Sequence, residues 1–315
     1  MVTKKCVVTG GAGFIGSNLI DTLVAREYDV VIIDNFSGGK EENIVHHTGN
    51  KKVSIVRKDI NNGDIDSFFE GASIVFHLAA IPMVQYSITA SEETNKINLD
   101  GTLHILEIAR KKGVKRFVYS ASSAAYGNQA TLPLTEEMKP NPLSPYAVQK
   151  LTGEYYCSLY HLLFGMETVS LRYFNVYGPR QNPAGGYACL IPRVIDMISK
   201  GKSPEINGNG EQTRDFVFVQ DVVNANMCAA ETENKEAFGQ VFNIGSGSAL
   251  SVNKVVNVLI GDKNIIPHRN SPVIEPKDTL ADISRAYRIL KWKPACSAEK
   301  GIVLTQQWFT QKASI

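Results

Sequence analysis

The tightest constraint on this chain lies at its start. An apolar run, Lys5–Thr9 (KCVVT), passes directly into Gly10-Gly11-Ala12-Gly13-Phe14-Ile15-Gly16 and then into an amphipathic stretch, Gly16–Arg26. Read from Gly11 the spacing is G-x-G-x-x-G; read from Gly10 it is G-x-x-G-x-x-G. Such glycines permit a tight strand-to-helix turn, let a pyrophosphate approach the backbone and seat the helix close to the strand. The helix N-terminus then turns unpaired N–H groups toward phosphate oxygens. About twenty residues on, a second apolar run, Val30–Asp34, ends in a carboxylate placed to accept hydrogen bonds from an adenosine ribose. That carboxylate repels a 2′-phosphate, so the pattern favours NAD over NADP. A tight turn alone would account for the glycines, but not for Asp34 and the flanking strand and helix.

The same texture continues to about residue 175. Val53–Val56, Ile74–Leu78, Arg116–Ser120 and Thr168–Tyr173 read as strands, rich in Val, Ile and aromatics and without alternating polarity. Strands buried on both faces look like this. Between them Asp64–Glu70, Glu92–Lys112 and Tyr146–Leu163 carry helical periodicity. The alternation predicts an α/β fold, a Rossmann-type doubly wound parallel sheet over residues 1–175. Residues 176–315 are expected to form mainly a smaller C-terminal substrate-binding lobe, with chain returning to the first unit near 213–242. Helices are expected at Ala188–Ser199, Asp221–Glu231, Ser251–Leu259, Ser284–Leu290 and Ala298–Gln311, and strands at Phe216–Val219 and Val241–Ile244.

Composition removes other classes. The 315 residues suffice for a large core without disulfide or metal staples. A net charge of +2 gives neither a nucleic-acid footprint nor a basic membrane surface. The longest apolar run, Ile74 to Val84, is broken by His77 and Pro82 and is too short to span a bilayer. The N-terminus has no signal-peptide pattern. Five scattered cysteines without a C-x-x-C or Cys/His cluster predict free thiols, a cytoplasmic location and no metal site.

Tyr146-Ala147-Val148-Gln149-Lys150 opens a helix after Pro142 and Pro145, and i,i+4 spacing puts phenol and ammonium on one face. A free tyrosine has a pKa of about 10. A cation about 4 Å away at an effective dielectric near 20 contributes about 4 kcal/mol, enough to lower it by up to roughly three units. Upstream, Ser120-Ala121-Ser122-Ser123 ends a strand, and open α/β sheets bind ligands beyond the carboxyl ends of their strands. Separately these are a solvated pair and turn serines; beside a dinucleotide site, Ser122, Tyr146 and Lys150 read as a hydride-transfer triad. Arg214, in Thr213-Arg214-Asp215, suits a pyrophosphate clamp, since guanidinium binds phosphate bidentately. Asp215 and Asp221 read as structural, a strand-edge partner and a helix N-cap.

The glycine motif, Asp34, Asp59-Ile60, His77-Leu78-Ala79-Ala80, Asn98, Ser122, Tyr146, Lys150 and the Arg172–Arg180 stretch together resemble the extended short-chain dehydrogenase/reductases. The likeness runs from Val7 to about Lys293 and is nearest to UDP-sugar 4-epimerases, the UDP-glucose and UDP-N-acetylglucosamine group. It implies a cofactor set of Gly10, Gly13, Phe14, Ile15, Gly16, Asp34, Asn35, Ser37, Gly38, Ser120, Tyr146 and Lys150. Asp59 and Ile60 are implied to hold the adenine, and Leu78, Ala79 and Ala80 to line the cofactor. Asn98 would buttress the active site, and Tyr173 would contact the nicotinamide side. For the UDP-sugar it implies Ser122, Ser123, Tyr146, Asn175, Gln181, the stretch Ala188, Cys189, Leu190 and Ile191, then Asn207, Gly208, Gln212, Arg214, Asp278 and Thr279.

The activity so implied is C4 inversion of UDP-GlcNAc/UDP-GalNAc, with UDP-glucose/UDP-galactose as a second pair, through a transient 4-keto sugar and tightly bound NAD. A homodimer built on the two long helices is implied as well, consistent with apolar Leu103, Leu106, Ile108, Leu151, Leu159 and Leu162 on more than one helix face. Ser123 and Ala124 stand where 4,6-dehydratases carry an Asp-Glu pair, which argues against dehydration. Four alternatives stay open: a UDP-glucuronate 4-epimerase, a UDP-glucuronate decarboxylase, a silent NAD-binding regulator, or a dehydrogenase that releases its NADH. The family's second phosphate arginine is absent at Pro272-Val273-Ile274-Glu275, with Arg269 or Lys277 as substitutes from a shifted loop.

Overall fold

The computed structural model describes residues 4–61, 64–183, 189–261, 267–269 and 276–313. Strands β1 (Lys5–Thr9), β2 (Asp29–Asp34), β3 (Val53–Arg57), β4 (Ile74–His77), β5 (Arg116–Ser122) and β6 (Glu167–Tyr173) are the apolar runs of the first half. They are joined by β10 (Gln240–Ile244) in a seven-stranded sheet of order β10-β6-β5-β4-β1-β2-β3. Every pairing in it is parallel. The order reverses between β1 and β4, which opens a crevice at their carboxyl ends.

Each face of the sheet is covered by apolar helix stripes. On one, Leu19, Ile20 and Leu23 of α1 (Phe14–Ala25) pack with Val222, Val223 and Met227 of α7 (Val219–Glu231). On the other, Ile105, Leu106 and Ala109 of α4 (Gly101–Lys111) meet Cys157 and Tyr160 of α5 (Pro145–Phe164). A third core gathers α6 (Leu190–Ser199), α8 (Val252–Ile260) and α9 (Ala298–Ala313) around Phe216. Beside it, β9 (Thr213–Phe218) pairs with β7 (Asn175–Tyr177) and β11 (Ala249–Ser251), while β8 (Ile206–Asn207) pairs with β12 (His268–Arg269).

Three expected helices differ, and of Ser284–Leu290 the segment Ala286–Leu290 is a π turn. Asp64–Glu70 is a single 3₁₀ turn, Asp66–Phe69, because only Ile65 and Phe69 are fully buried and Gly71 at φ +73° ends it. Glu92–Lys112 comprises α3 (Ser91–Asn95) and α4 with a π turn, Lys96–Asp100, between them. Such turns concentrate at functional sites, and this one carries Asn98 with 1% of its surface exposed.

Helix α5 is specified at both ends. The Ser144 hydroxyl accepts the Ala147 N–H, Pro145 occupies the first turn, and Gly165 closes the helix in the left-handed region at φ 69°. Its distance from the sheet is set by Gly153, where a Cβ would lie 2.2 Å from the Tyr119 hydroxyl.

Candidate active site

The glycine turn sits at the carboxyl end of β1, at the point of strand reversal. Gly10 has φ +70°, and a Cβ on it would lie 2.7 Å from the Ala79 backbone nitrogen after β4. A Cβ on Gly16 would lie 2.3 Å from the Gly10 carbonyl, and Gly13 is the N-cap of α1 with no side chain over its end. Phe14 and Ile15 form the first turn. Gly10, Gly13 and Gly16 thus bring bare backbone and an open helix N-terminus to the crevice where a pyrophosphate fits. Leu78, Ala79 and Ala80 form the opposite wall, half-buried.

Asp34 closes β2. Its carboxylate accepts the N–H of Ala12 at 2.9 Å and of Phe36 at 2.8 Å. Burial pushes its pKa up, against those two hydrogen bonds. Four lone-pair sites on two oxygens leave room for ribose hydroxyls beside these two donors. Asn35, Ser37 and Gly38 are exposed just beyond it, and Asn35 donates to Asp59 at 2.7 Å. Asn35, Arg57, Lys58, Asp59 and Asp64 line a cavity of about 430 Å³ at this end. These features fit the adenosine half of NAD. Ile60 follows Asp59 directly, with its side chain buried in the core against Gly101.

Ser122, Tyr146 and Lys150 converge at the end of β5. Tyr146 is 8% exposed and Lys150 3%. The Ser122 hydroxyl accepts the Ala124 N–H at 3.2 Å. Burial pushes the Tyr146 phenol pKa up, against an opposing pull from the Ser122 side chain. The Lys150 ammonium donates to the Ser120 carbonyl at 2.8 Å and lies 5.1 Å from the Tyr119 ring centroid. Burial lowers Lys150 itself to about 8.

Asn98 is held from both sides. Its amide donates to the Gln149 carbonyl oxygen at 2.8 Å and to the Ile81 carbonyl, and its oxygen accepts the Ile81 N–H. Gln149, one residue before Lys150, was not singled out by sequence; its lone signal is its place inside Tyr146–Lys150. His77 was likewise given no role. Thr102 donates to the Asn98 carbonyl at 2.7 Å, so His77 Nε2 (2.9 Å from Thr102) donates, and His77 Nδ1 accepts from Thr9 at 2.7 Å. Burial, aided by the Lys150 charge, depresses His77 to about 3 and keeps it neutral. A directed chain of hydrogen bonds thereby joins the glycine turn to the Asn98 turn.

Tyr173, expected against the nicotinamide, is buried in the core with its hydroxyl on Asn226. Arg214, the expected clamp, donates to the Thr213 and Lys277 carbonyls. Gln212 holds the Asn207 carbonyl at 2.9 Å, and Asp278 accepts the Thr213 N–H and hydroxyl. Thr279 is 8% exposed, its hydroxyl 3.4 Å from the Asp215 N–H. Gln181 is buried and donates to the Val176 carbonyl, and its own Oε1 finds no partner among the described residues. Asn175 is exposed on β7, and Cys189 is exposed and precedes Leu190 at the start of α6, with its thiol near Tyr146. Ser123 opens the 3₁₀ turn after β5. Ala188 and residues 272–275 lie outside the described residues.

Asp215 is structural: it is fully buried, and both oxygens receive donors from Ser246, Gly247 and Ala281. Asp221 does not cap its own helix. That helix begins at Val219, and the carboxylate binds the Ala295 and Cys296 N–H groups instead. Sequence also missed Asp21, His46 and His47, separated by 25 residues and brought into one cluster.

The family model described as the NAD dependent epimerase/dehydratase family matches residues 6–245. A putative UDP-glucose 4-epimerase of Methanocaldococcus jannaschii is 39% identical over 311 residues, 96% of this chain and 97% of that protein. The UDP-N-acetylglucosamine 4-epimerase of Methanobrevibacter ruminantium M1, solved with UDP-N-acetylmuramic acid, superposes with a TM-score of 0.92 at 35% identity, over 99% of this chain and 100% of that one. The UDP-glucuronic acid 4-epimerase of Bacillus cereus, solved with UDP-glucuronic acid and NAD, gives 0.90 at 34% identity, over 98% and 99%. The chain belongs to the NAD dependent epimerase/dehydratase family, and it is an NAD-dependent enzyme of that family's nucleotide-sugar 4-epimerase group.

Proposed function

We propose that the protein inverts C4 of UDP-GlcNAc and UDP-GalNAc, with UDP-glucose and UDP-galactose as a second substrate pair. The reading rests above all on the burial of Tyr146 and Lys150 at the end of β5, with the Lys150 ammonium held on the Ser120 carbonyl, beside the glycine turn and the Asn98 turn. Bound NAD supplies a hydride acceptor and donor, so the overall reaction is redox-neutral. Tyr146 takes the proton of the sugar 4-hydroxyl, and Ser122 hydrogen-bonds the same oxygen. Lys150, anchored on the Ser120 carbonyl, holds the nicotinamide ribose and stabilises the phenolate. Asn98, fixed by Gln149 and Ile81, keeps the segment after β4 in register with α5.

Residues 1–175 hold the cofactor in this reading and residues 176–315 mainly the UDP-sugar, with Arg214 released from its two carbonyls to meet the diphosphate. Thr279 is small where a bulky aromatic would crowd a 2-acetamido group, and the likeness to the M. ruminantium enzyme favours the same sugars. The protein acts in the cytoplasm as a homodimer. The apolar patch that supports the dimer lies on α5, where Val148, Tyr155, Leu159 and Leu162 are 49%, 55%, 45% and 77% exposed. Leu106 and Ile108 of α4, expected in that surface, are buried within the chain.

The test is incubation of purified protein, without added NAD, with UDP-GlcNAc, UDP-glucose and UDP-glucuronate in turn, followed by chromatographic separation of products. C4 epimers of the first two are expected. A pentose product from UDP-glucuronate, or no turnover of any UDP-sugar, refutes the proposal. Tyr146→Phe should lower kcat at least about 10²-fold and still bind UDP-sugar; near-normal turnover would remove the mechanism.

A further inference from the structure

Outside the sites above, Asp21 on α1 and the adjacent His46 and His47 bring three metal-ligating atoms within 4.8 Å of one another. Both imidazole Nε2 atoms lie 2.8 Å from the same oxygen, Asp21 Oδ1. The short 3₁₀ turn Val45–His47 makes this possible, by tilting the two neighbouring rings 42° with centroids 4.1 Å apart. The other carboxylate oxygen is held by the Arg180 guanidinium at 2.7 Å. Hydrogen bonds from Arg180 and both histidines outweigh burial and keep the Asp21 pKa below the ordinary carboxylate range.

We propose that Asp21, His46 and His47 form a binding site for one divalent ion of borderline softness, zinc foremost. Two imidazole nitrogens and one carboxylate oxygen suit zinc, and exclude calcium and magnesium, which take oxygen ligands. Arg180 does not block the site. It occupies Oδ2, orients the carboxylate and leaves Oδ1 to bind through one oxygen, as outer partners of metal ligands commonly do. Tetrahedral zinc–ligand bonds of about 2.0–2.2 Å hold neighbouring donors about 3.4 Å apart, so each Nε2 would draw back from Asp21 Oδ1 by a little over half an ångström to admit the ion. Each imidazole would donate its Nε2 lone pair to the ion, the ring proton then sitting on Nδ1. His47 is 9% exposed at its side chain and His46 45%, so one ligand is fixed in the core while the open side admits a water as fourth ligand. The bound ion would tie the turn that follows the Asp34 segment to the helix whose N-terminus faces the crevice.

The experiment is zinc titration of the chelator-stripped, NAD-containing full chain in competition with a chromogenic chelator, with cobalt substitution read by visible absorption. One equivalent per chain is expected. His46→Ala and His47→Ala should each weaken binding at least about tenfold, as should Asp21→Asn, which keeps the side-chain shape should a histidine variant fold poorly. His104→Ala, whose ring bonds the Ile60 carbonyl, should bind zinc like the parent chain. Less than half an equivalent on the parent chain overturns the proposal, and so does binding that any of the three ligand variants leaves unchanged.

Discussion

The buried His77 makes acid stability a quantitative prediction. Its pKa lies at about 3 in the folded chain against 6.5 for the free side chain, with burial the main cause and the Lys150 charge the second. Between those values the unfolded chain binds the proton and the folded chain does not. Stability therefore falls as pH drops through about 6.5 and stops falling on this account below about 3. A gap of about 3.5 units corresponds to roughly 5 kcal/mol in full, and about 2 kcal/mol of it is lost at about pH 5. His77→Gln can keep an amide donor toward Thr102 and a carbonyl acceptor for Thr9 without titrating. Urea denaturation of both proteins at about pH 7.5 and about pH 5 isolates the residue, because every other titrating group is common to the pair. The parent chain should lose about 2 kcal/mol more than the variant. Equal acid losses, within about 0.5 kcal/mol, would show that His77 is protonated in the folded state and that the hydrogen-bond chain runs otherwise.

Three further outcomes follow from the site. Gly16→Ala places a methyl 2.3 Å from the Gly10 carbonyl, so the protein should purify with little NAD, measured in the supernatant after denaturation; a full complement of cofactor contradicts the turn's assignment. Thr279→Tyr should depress turnover of 2-acetamido sugars selectively, by roughly ten- to a hundredfold, since overpacking costs about 1–3 kcal/mol; equal loss on both sugar pairs removes Thr279 as the C2 gate. Leu162→Glu puts a charge on the exposed face of α5 and should shift light-scattering mass from dimer toward monomer, and an unchanged mass points to another interface.

What sequence could reveal depended on how local each signal was. Strands β1, β2, β4, β5 and β6 were legible because a strand buried on both faces is one apolar run, whatever its neighbours. The start of α5 was legible from Pro145 and the Tyr146–Lys150 spacing. The partners of polar groups were not, because they are set by packing across tens of residues. Asp221 looks like an N-cap in sequence, yet it serves the backbone at Ala295 and Cys296, 74 and 75 positions away. Tyr173 sits in a motif shared with the family, but the buried Asn226 claims its hydroxyl. Helix spacing put Lys150 on the same face as the phenol, but its bond to the Ser120 carbonyl appears only once β5 lies beside α5.

Gly153 gives the reaction geometry a hidden spacer. The helix bearing Tyr146 and Lys150 rests on Tyr119 with no side chain between them, at a separation that would put a methyl group 2.2 Å from the phenolic oxygen. Restoring an ordinary contact of about 3.4 Å lifts α5 by a little over 1 Å, with Ser122 left behind on the strand. A displacement of about 1 Å at reacting groups can cost about 10²-fold in rate. The least chemical residue on the helix therefore acts as the shim for the most chemical ones: a glycine two turns after the tyrosine sets how far the tyrosine stands from Ser122.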